Sequence, residues 1–544
     1  MGSRKGSQMF KILALIGGTL MTLLPAYGGS QLRVAGIPLK LPGNTLVLHV
    51  SETVHRTPDE DGKVSGVDPR ETPENVYRLV REAARAWTQT GKAALSIQVE
   101  RSPEWKLSES KLNLVTFTDT EPFDSGMCDK ALYIACTLVF HDDATGEIPM
   151  VKIAFNPYKQ HSSLGKKGAH DLGVVLLHEL GHAVGLDHSA ALDAIMSPVV
   201  ELEMPTGSAT PRRLSGDDVA TIATAYPLPE PVVPPSILAG AVTRDGTVVA
   251  KAHVVAFDRH GKTAAAALSG LDGRFQLQVP PGEYRLAVEP LDGPVHATQT
   301  WSDQAAPPEF ASLWWTQGGG SSEAGDTVLL AEGESRQGID FALNSTPPVN
   351  ATTIGIVGEG GLYLGAAHVT VARGREYPLA LTRTPPEGAA RVRFTLASIE
   401  LPTLPTVPSS APQLVRQRIR VPADAPLGSY TLTYESNGAV SFLPGALEVV
   451  SNPSVRSVSW LEDGWFLITG EDLAGEETAA GEGDQPTQLV GISVRVSDRF
   501  AELYKVSPTE IIARWPAGLE QAEAAVSVVA GTGVTSEPLS LIVQ

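Results

Sequence analysis

Apolar positions recur along the first part of the chain in two rhythms. Thr45–Ser51 (TLVLHVS) alternates, as a strand with one buried face does. Glu74–Thr88 instead carries Val76, Leu79, Val80, Ala83, Ala84 and Trp87, close to the spacing of one helical face. Leu95–Val99, Leu112–Phe117 and Val151–Phe155 read as further strands, the last stopped by Asn156-Pro157. Asp171 stands at an N-cap position before an apolar helical segment, Leu172–Val184. Ser215 and Asp218 open a last helix as a capping box, running towards Tyr226. The pattern predicts an α+β domain over residues 29–227, with a mixed twisted sheet and three main helices.

The rhythm then changes. Pro227–Ser236 (PLPEPVVPPS) reads as a proline-rich linker, centred on residues 228–236. Beyond it come short alternating runs broken by turns such as Arg244-Asp245-Gly246, Leu271-Asp272-Gly273 and Pro280-Pro281-Gly282. These predict a small β-sandwich over residues 237–345. A second all-β segment follows over 346–450, after a stretch rich in Pro and Thr, and a third over 453–544. The three segments are not close repeats, so they read as separate modules.

Bulk composition narrows the function. A chain of 544 residues is too long for one core. Its 42% hydrophobic and 19% charged residues are an ordinary globular balance. The net charge of −19 argues against nucleic acid as a partner, since phosphate binding needs a basic face. Residues 1–28 read as an export signal: Arg4, Lys5 and Lys11 precede or enter an apolar run, Ile12–Leu24, and Pro25, Ala26, Gly28 and Gly29 offer a small-residue cleavage zone. An uncleaved anchor is the other reading, although the run is short for a bilayer. The expected product is secreted, with no stable membrane span after signal removal. Cys128 and Cys136 are then placed to form one disulfide, with reduced thiols as the alternative.

The chemistry concentrates in His178-Glu179-Leu180-Gly181-His182-Ala183-Val184-Gly185-Leu186-Asp187-His188. Residues four apart share a helical face, so His178 and His182 can offer two imidazoles to one cation. Glu179 projects beside the open position of that cation. Gly185 can take the left-handed conformation that ends a helix, letting the chain turn and bring His188 back. Three histidines leave a fourth position for water, the mark of a catalytic zinc. Glu179 is the candidate general base.

This stretch resembles the metzincin pattern H-E-x-x-H-x-x-G-x-x-H followed by a Met-turn, here Ala194-Ile195-Met196-Ser197-Pro198. It is most similar to the matrixin branch, the matrix metalloproteinase-like proteins and their bacterial relatives. The resemblance implies a zincin-like catalytic domain with one catalytic Zn2+. It implies a zinc-dependent endopeptidase that cleaves extracellular proteins or peptides. By the same resemblance Met196 packs beneath the zinc ligands, and Pro198, Val199 and Val200 line the pocket for the residue after the cleaved bond. Related proteases also bind calcium, for which Asp119, Asp124, Asp142 and Asp143 are the available acids; solvated loop acids are the competing reading. The chain departs from animal matrixins in lacking a cysteine placed to plug the zinc, so latency by that route is not expected.

Residues 237–345 resemble the carboxypeptidase regulatory-like family of transthyretin-like sandwiches, through Leu271-Asp272-Gly273-Arg274-Phe275 and Pro281-Gly282-Glu283-Tyr284. The last segment resembles immunoglobulin-like modules of secreted bacterial proteins, through Ile468-Thr469-Gly470-Glu471-Asp472-Leu473. Such modules imply spacing, or docking to surface protein or carbohydrate. Two other functions compete with the protease: a non-enzymatic surface adhesin on a protease-like scaffold, and a zinc hydrolase with a non-peptide substrate. An intact Glu179 weighs against the first, and the Met-turn against the second.

Overall fold

The structure is a computed structural model. It describes residues 30–55, 66–166, 168–199, 212–300, 309–319, 325–343, 351–358, 361–365, 369–383, 390–395, 399, 414–436, 439–481, 486–519, 523–531 and 533–542. The expected export signal, residues 1–28, lies outside the described residues, as do Val200 and residues 344–350.

Five strands make the main N-terminal sheet: β1 (Thr45–Ser51), β2 (Ser96–Ser102), β3 (Leu114–Thr116), β4 (Ala135–Phe140) and β5 (Met150–Phe155), in the order β2-β1-β3-β5-β4. All neighbours are parallel except β4, which runs antiparallel to β5 at one edge. Parallel β1 and β2 need a crossover. It is supplied by α1 (Pro73–Thr88), whose N-cap Thr72 accepts the Asn75 amide at 3.1 Å and whose first residue is Pro73. The apolar face read from the sequence is the one α1 buries: Val76, Leu79, Val80, Ala83, Ala84 and Trp87. These pack against α2 (Leu172–Ala183), and Trp87 donates its indole N–H to the Leu177 carbonyl at 2.8 Å. The predicted caps are present: Asp171 accepts the Val174 amide, and Ser215 with Asp218 forms the capping box of α3 (Gly216–Ala225). The Tyr226 hydroxyl donates to the Val184 carbonyl and accepts from the Leu41 amide, tying the ends of α2 and α3 together.

Two expected strands are displaced. The Leu112–Phe117 segment is extended only at Leu114–Thr116, because the Asn113 side chain bridges Val47 O and Val151 N, each at 2.9 Å. The Leu95–Val99 segment starts one residue later and runs on to Ser102, in step with β1 through Ser51. Cys128 and Cys136 form a disulfide between a loop and β4.

Beyond Pro227 the described chain holds strands and two-sheet packing. The first pair of sheets includes β6 (Ser236–Arg244), β7 (His253–Asp258), β8 (Thr263–Leu268), β9 (Arg274–Val279) and β10 (Gly282–Glu289); β6 and β9 lie in one sheet, and β8, β7 and β10 in the other. Leu238, Val254, Phe275 and Leu286 from both sheets share one core. Two further pairs of sheets span Ala351–Val450 and Ser454–Ile542; the core of the former also takes in Ala190, Leu192, Leu291, Val295 and Ala297, and that of the latter Ala372 and Val450.

A proline-rich linker suggests separated modules, but here the modules dock on the N-terminal unit. Asp217 of α3 accepts the Ala266 amide of β8 at 2.6 Å. The Leu192 amide donates to Pro444 O at 2.9 Å. Arg213 pairs with Glu448 at 2.7 Å, and Arg70 with Asp498 at 2.9 Å. No helix among the described residues is long and apolar enough to cross a membrane.

Candidate metal centre

His178 and His182 sit one turn apart on α2, which ends at Ala183. The ending is a Schellman arrangement: Leu186 N donates to Gly181 O at 3.0 Å and Gly185 N to His182 O at 2.9 Å. Gly185 takes φ +86, and a Cβ there would stand 2.5 Å from Leu39 O. The position therefore needs glycine twice over, for its conformation and for the close approach. The turn carries His188 back to the two helical histidines.

The three rings converge. His182 Nε2 lies 3.1 Å from His178 Nε2 and 3.1 Å from His188 Nε2. Nitrogens on a tetrahedral zinc would stand roughly 3.3 Å apart. The opposite nitrogens are all committed to main-chain carbonyls. His178 Nδ1 donates to Ile195 O at 2.7 Å, His182 Nδ1 to Leu186 O at 2.9 Å and His188 Nδ1 to Gln299 O at 2.5 Å. A carbonyl can only accept, so each Nδ1 carries the proton and each Nε2 presents a lone pair to the common centre. Burial holds these rings neutral: it pushes His178 down to about 3 and His182 well below the usual imidazole range, helped by the neighbouring rings. Neutral, convergent nitrogens are the donor set a zinc ion takes. Among the described residues, this is the group of three or more His, Cys, Asp or Glu whose ligand atoms gather within 4.8 Å.

Glu179 is buried beside the cluster and outside it. Its Oε2 accepts from Thr137 Oγ1 of β4 at 2.5 Å. Burial raises its carboxyl to about 7, partly offset by that hydrogen bond. Met196 is buried under α2, with its sulfur against Gly181. The turn that carries it is pinned by Asp218, which accepts Ile195 N at 2.8 Å and Met196 N at 3.1 Å. Pro198 and Val199 follow, and Val199 packs against the apolar cluster of the second pair of sheets.

The four acids considered for calcium do not gather. Asp119 accepts Leu107 N and Glu121 N, Asp142 accepts Ala144 N and Thr145 N, Asp124 accepts the Tyr158 hydroxyl, and Asp143 pairs with His141. Each is committed to protein partners of its own. Sequence reasoning missed Thr137 and Gln299. Both reach the site through contacts far along the chain, which no local pattern signals.

The site is thus a three-histidine centre on a helix and the turn that follows it, with a buried carboxyl beside it and a methionine beneath. Residues 63–227 match the family model described as Matrixin. That match supports a zinc metalloprotease domain, followed by a remainder that is mostly β-sheet. No match was found among curated proteins. Solved structures similar to the chain include a three-domain titin fragment described as a 3Ig structure, 10% identical over 56% of this chain and 96% of that one, with a TM-score of 0.17. Others are the Bacteroides ovatus mixed-linkage glucan utilization locus protein SGBP-B, 12% identical over 56% and 66% with a TM-score of 0.16, and domains 3–5 of Drosophila OTK, 9% identical over 56% and 94% with a TM-score of 0.16. The chain spans just under two thirds of the Bacteroides protein. Likeness at these scores says nothing of what this chain does.

Proposed function

We propose that the chain is a secreted zinc-dependent endopeptidase of the matrixin type, with His178, His182 and His188 as zinc ligands and Glu179 as general base. The observation that carries the reading is the convergence of three Nε2 atoms whose Nδ1 partners are all main-chain carbonyls. Bound zinc would supply Lewis acidity to the scissile carbonyl and a water acidic enough to react near neutral pH. Glu179, raised to about 7, sits where a group must both accept a proton from water and return it to the leaving amine. Thr137 holds that carboxylate in place.

In this reading the substrate binds along the sheet edge. β4 is an edge strand, and an extended peptide can pair with such an edge through main-chain hydrogen bonds. Pro198 and Val199, with Val200, would form the wall for the residue after the cleaved bond. The domain limits 29–227, 237–345, 346–450 and 453–544 belong to this reading, as do a transthyretin-like first module, immunoglobulin-like later ones and their docking to surface protein or carbohydrate. The direct test is metal content. The full chain should hold one zinc per molecule, and His182→Ala should hold none. Equal zinc in both would remove the histidine centre.

A further inference from the structure

Two of the three histidines are oriented from within the N-terminal unit. His178 uses the carbonyl of Ile195 and His182 that of Leu186. His188 differs: its partner, Gln299, lies 111 positions further on. His188 is also the one histidine of the three that stands off the helix, so backbone geometry constrains its ring least.

The carbonyl that reaches it is firmly placed. The segment after β10 turns through a bridge between Asp292 and His296 and a single helical turn, Ala297–Gln299. Gln299 closes that turn at both ends, its amide donating to His296 O and its side-chain oxygen accepting His296 N, each at 2.8 Å. Thr300 Oγ1 donates to Ala297 O at 2.9 Å. Leu291, Val295 and Ala297 are buried, and they share one apolar cluster with Ala190 and Leu192, just beyond His188. The strap and the loop beyond the third ligand are therefore both packed into the apolar cluster built mainly by the sheets of Ala351–Val450.

We propose that Gln299 is a positioning residue of the metal centre: its main-chain carbonyl, delivered by the neighbouring sandwich, orients His188, so the triad is complete only when residues 290–300 are seated. This rests on the zinc reading above. A carbonyl on the outer nitrogen of a ligand histidine fixes the tautomer and ring plane and makes the inner nitrogen a better donor. Zinc binding and docking of the strap must then reinforce each other, since coupling between two binding events is reciprocal.

The test uses the full chain and measures zinc affinity by competition with a chromophoric chelator, alongside the visible spectrum of the Co2+-loaded protein. Ala297→Arg unseats the strap, and Gln299→Ala removes the bond that closes its turn. Both should weaken zinc binding, by roughly 10–100-fold for the stronger variant, and shift the cobalt bands. Gln299→Glu keeps an acceptor for His296 N and should restore affinity. Zinc should also slow proteolysis within residues 290–300 of the wild type. Should Ala297→Arg not fold, the half-buried Gln299→Ala decides. Tight, histidine-dependent zinc binding in the wild type with unchanged affinity in Gln299→Ala would overturn the proposal and leave the zinc reading standing. Absence of histidine-dependent zinc binding in the wild type would remove both.

Discussion

A Cβ built on Gly181 would stand 2.2 Å from the Sδ of Met196. The helix that carries His178 and His182 meets the methionine turn at this point, and it can lie on the sulfur only where it carries no side chain. Glycine inside a helix ordinarily costs up to about 1 kcal/mol against alanine, so the contact must outweigh that.

Gly181→Ala should therefore destabilise the chain by about 1–3 kcal/mol, the usual cost of overpacking, where propensity alone would make it stabilising. Combining it with Met196→Ala should recover part of the loss. Denaturation of the two single variants and the double variant measures the coupling. Strictly additive effects would show that the two residues do not bear on each other.

Thr137 donates to the Glu179 carboxylate and so favours its charged form. Removing the donor in Thr137→Val leaves burial unopposed and moves the carboxyl further up. The acidic limb of the kcat/KM profile should shift to higher pH, on the order of one unit. An unmoved limb, or one moved to lower pH, would show that Thr137 does not tune the base.

His161 is fully buried and donates Nε2–H to Asn156 O at 3.0 Å. Burial, with a smaller effect from His170, pushes it down to about 4. Its folded value lies below the ordinary 6.5, so between those values the unfolded chain takes up a proton that the folded chain refuses. Stability is thus intact above about pH 6.5 and falls as acid is added, by about 2 kcal/mol from this residue at about pH 5. Melting of the wild type and His161→Phe at neutral and at acid pH measures it. His161→Phe should lose less on acidification, and an equal loss in both would assign the acid sensitivity elsewhere.

The legible features were local ones. Asp171 and Ser215 mark helix starts because a cap acts within three residues, and the α1 face is written in its spacing, whereas the Thr72 cap of α1 was not read. The ligand set was legible because Gly185 and the four-residue step fix it within eleven residues. The displaced start of β3 depends on Asn113 reaching two other strands, which alternation does not encode. Thr137 meets Glu179 only once β4 has paired with β5. Leu291 and Ala297 look in sequence like ordinary sandwich residues, yet they join the same apolar cluster as Ala190 and Leu192 beyond His188.

Hydrolysis of casein by the full chain, beside Glu179→Ala and a chelator-treated sample with zinc restored, tests the central claim most directly. The account predicts cleavage by the wild type, loss on chelation with recovery on adding zinc, and no turnover in Glu179→Ala despite intact zinc binding and fold. Cleavage at the wild-type rate by a zinc-loaded Glu179→Ala would contradict it.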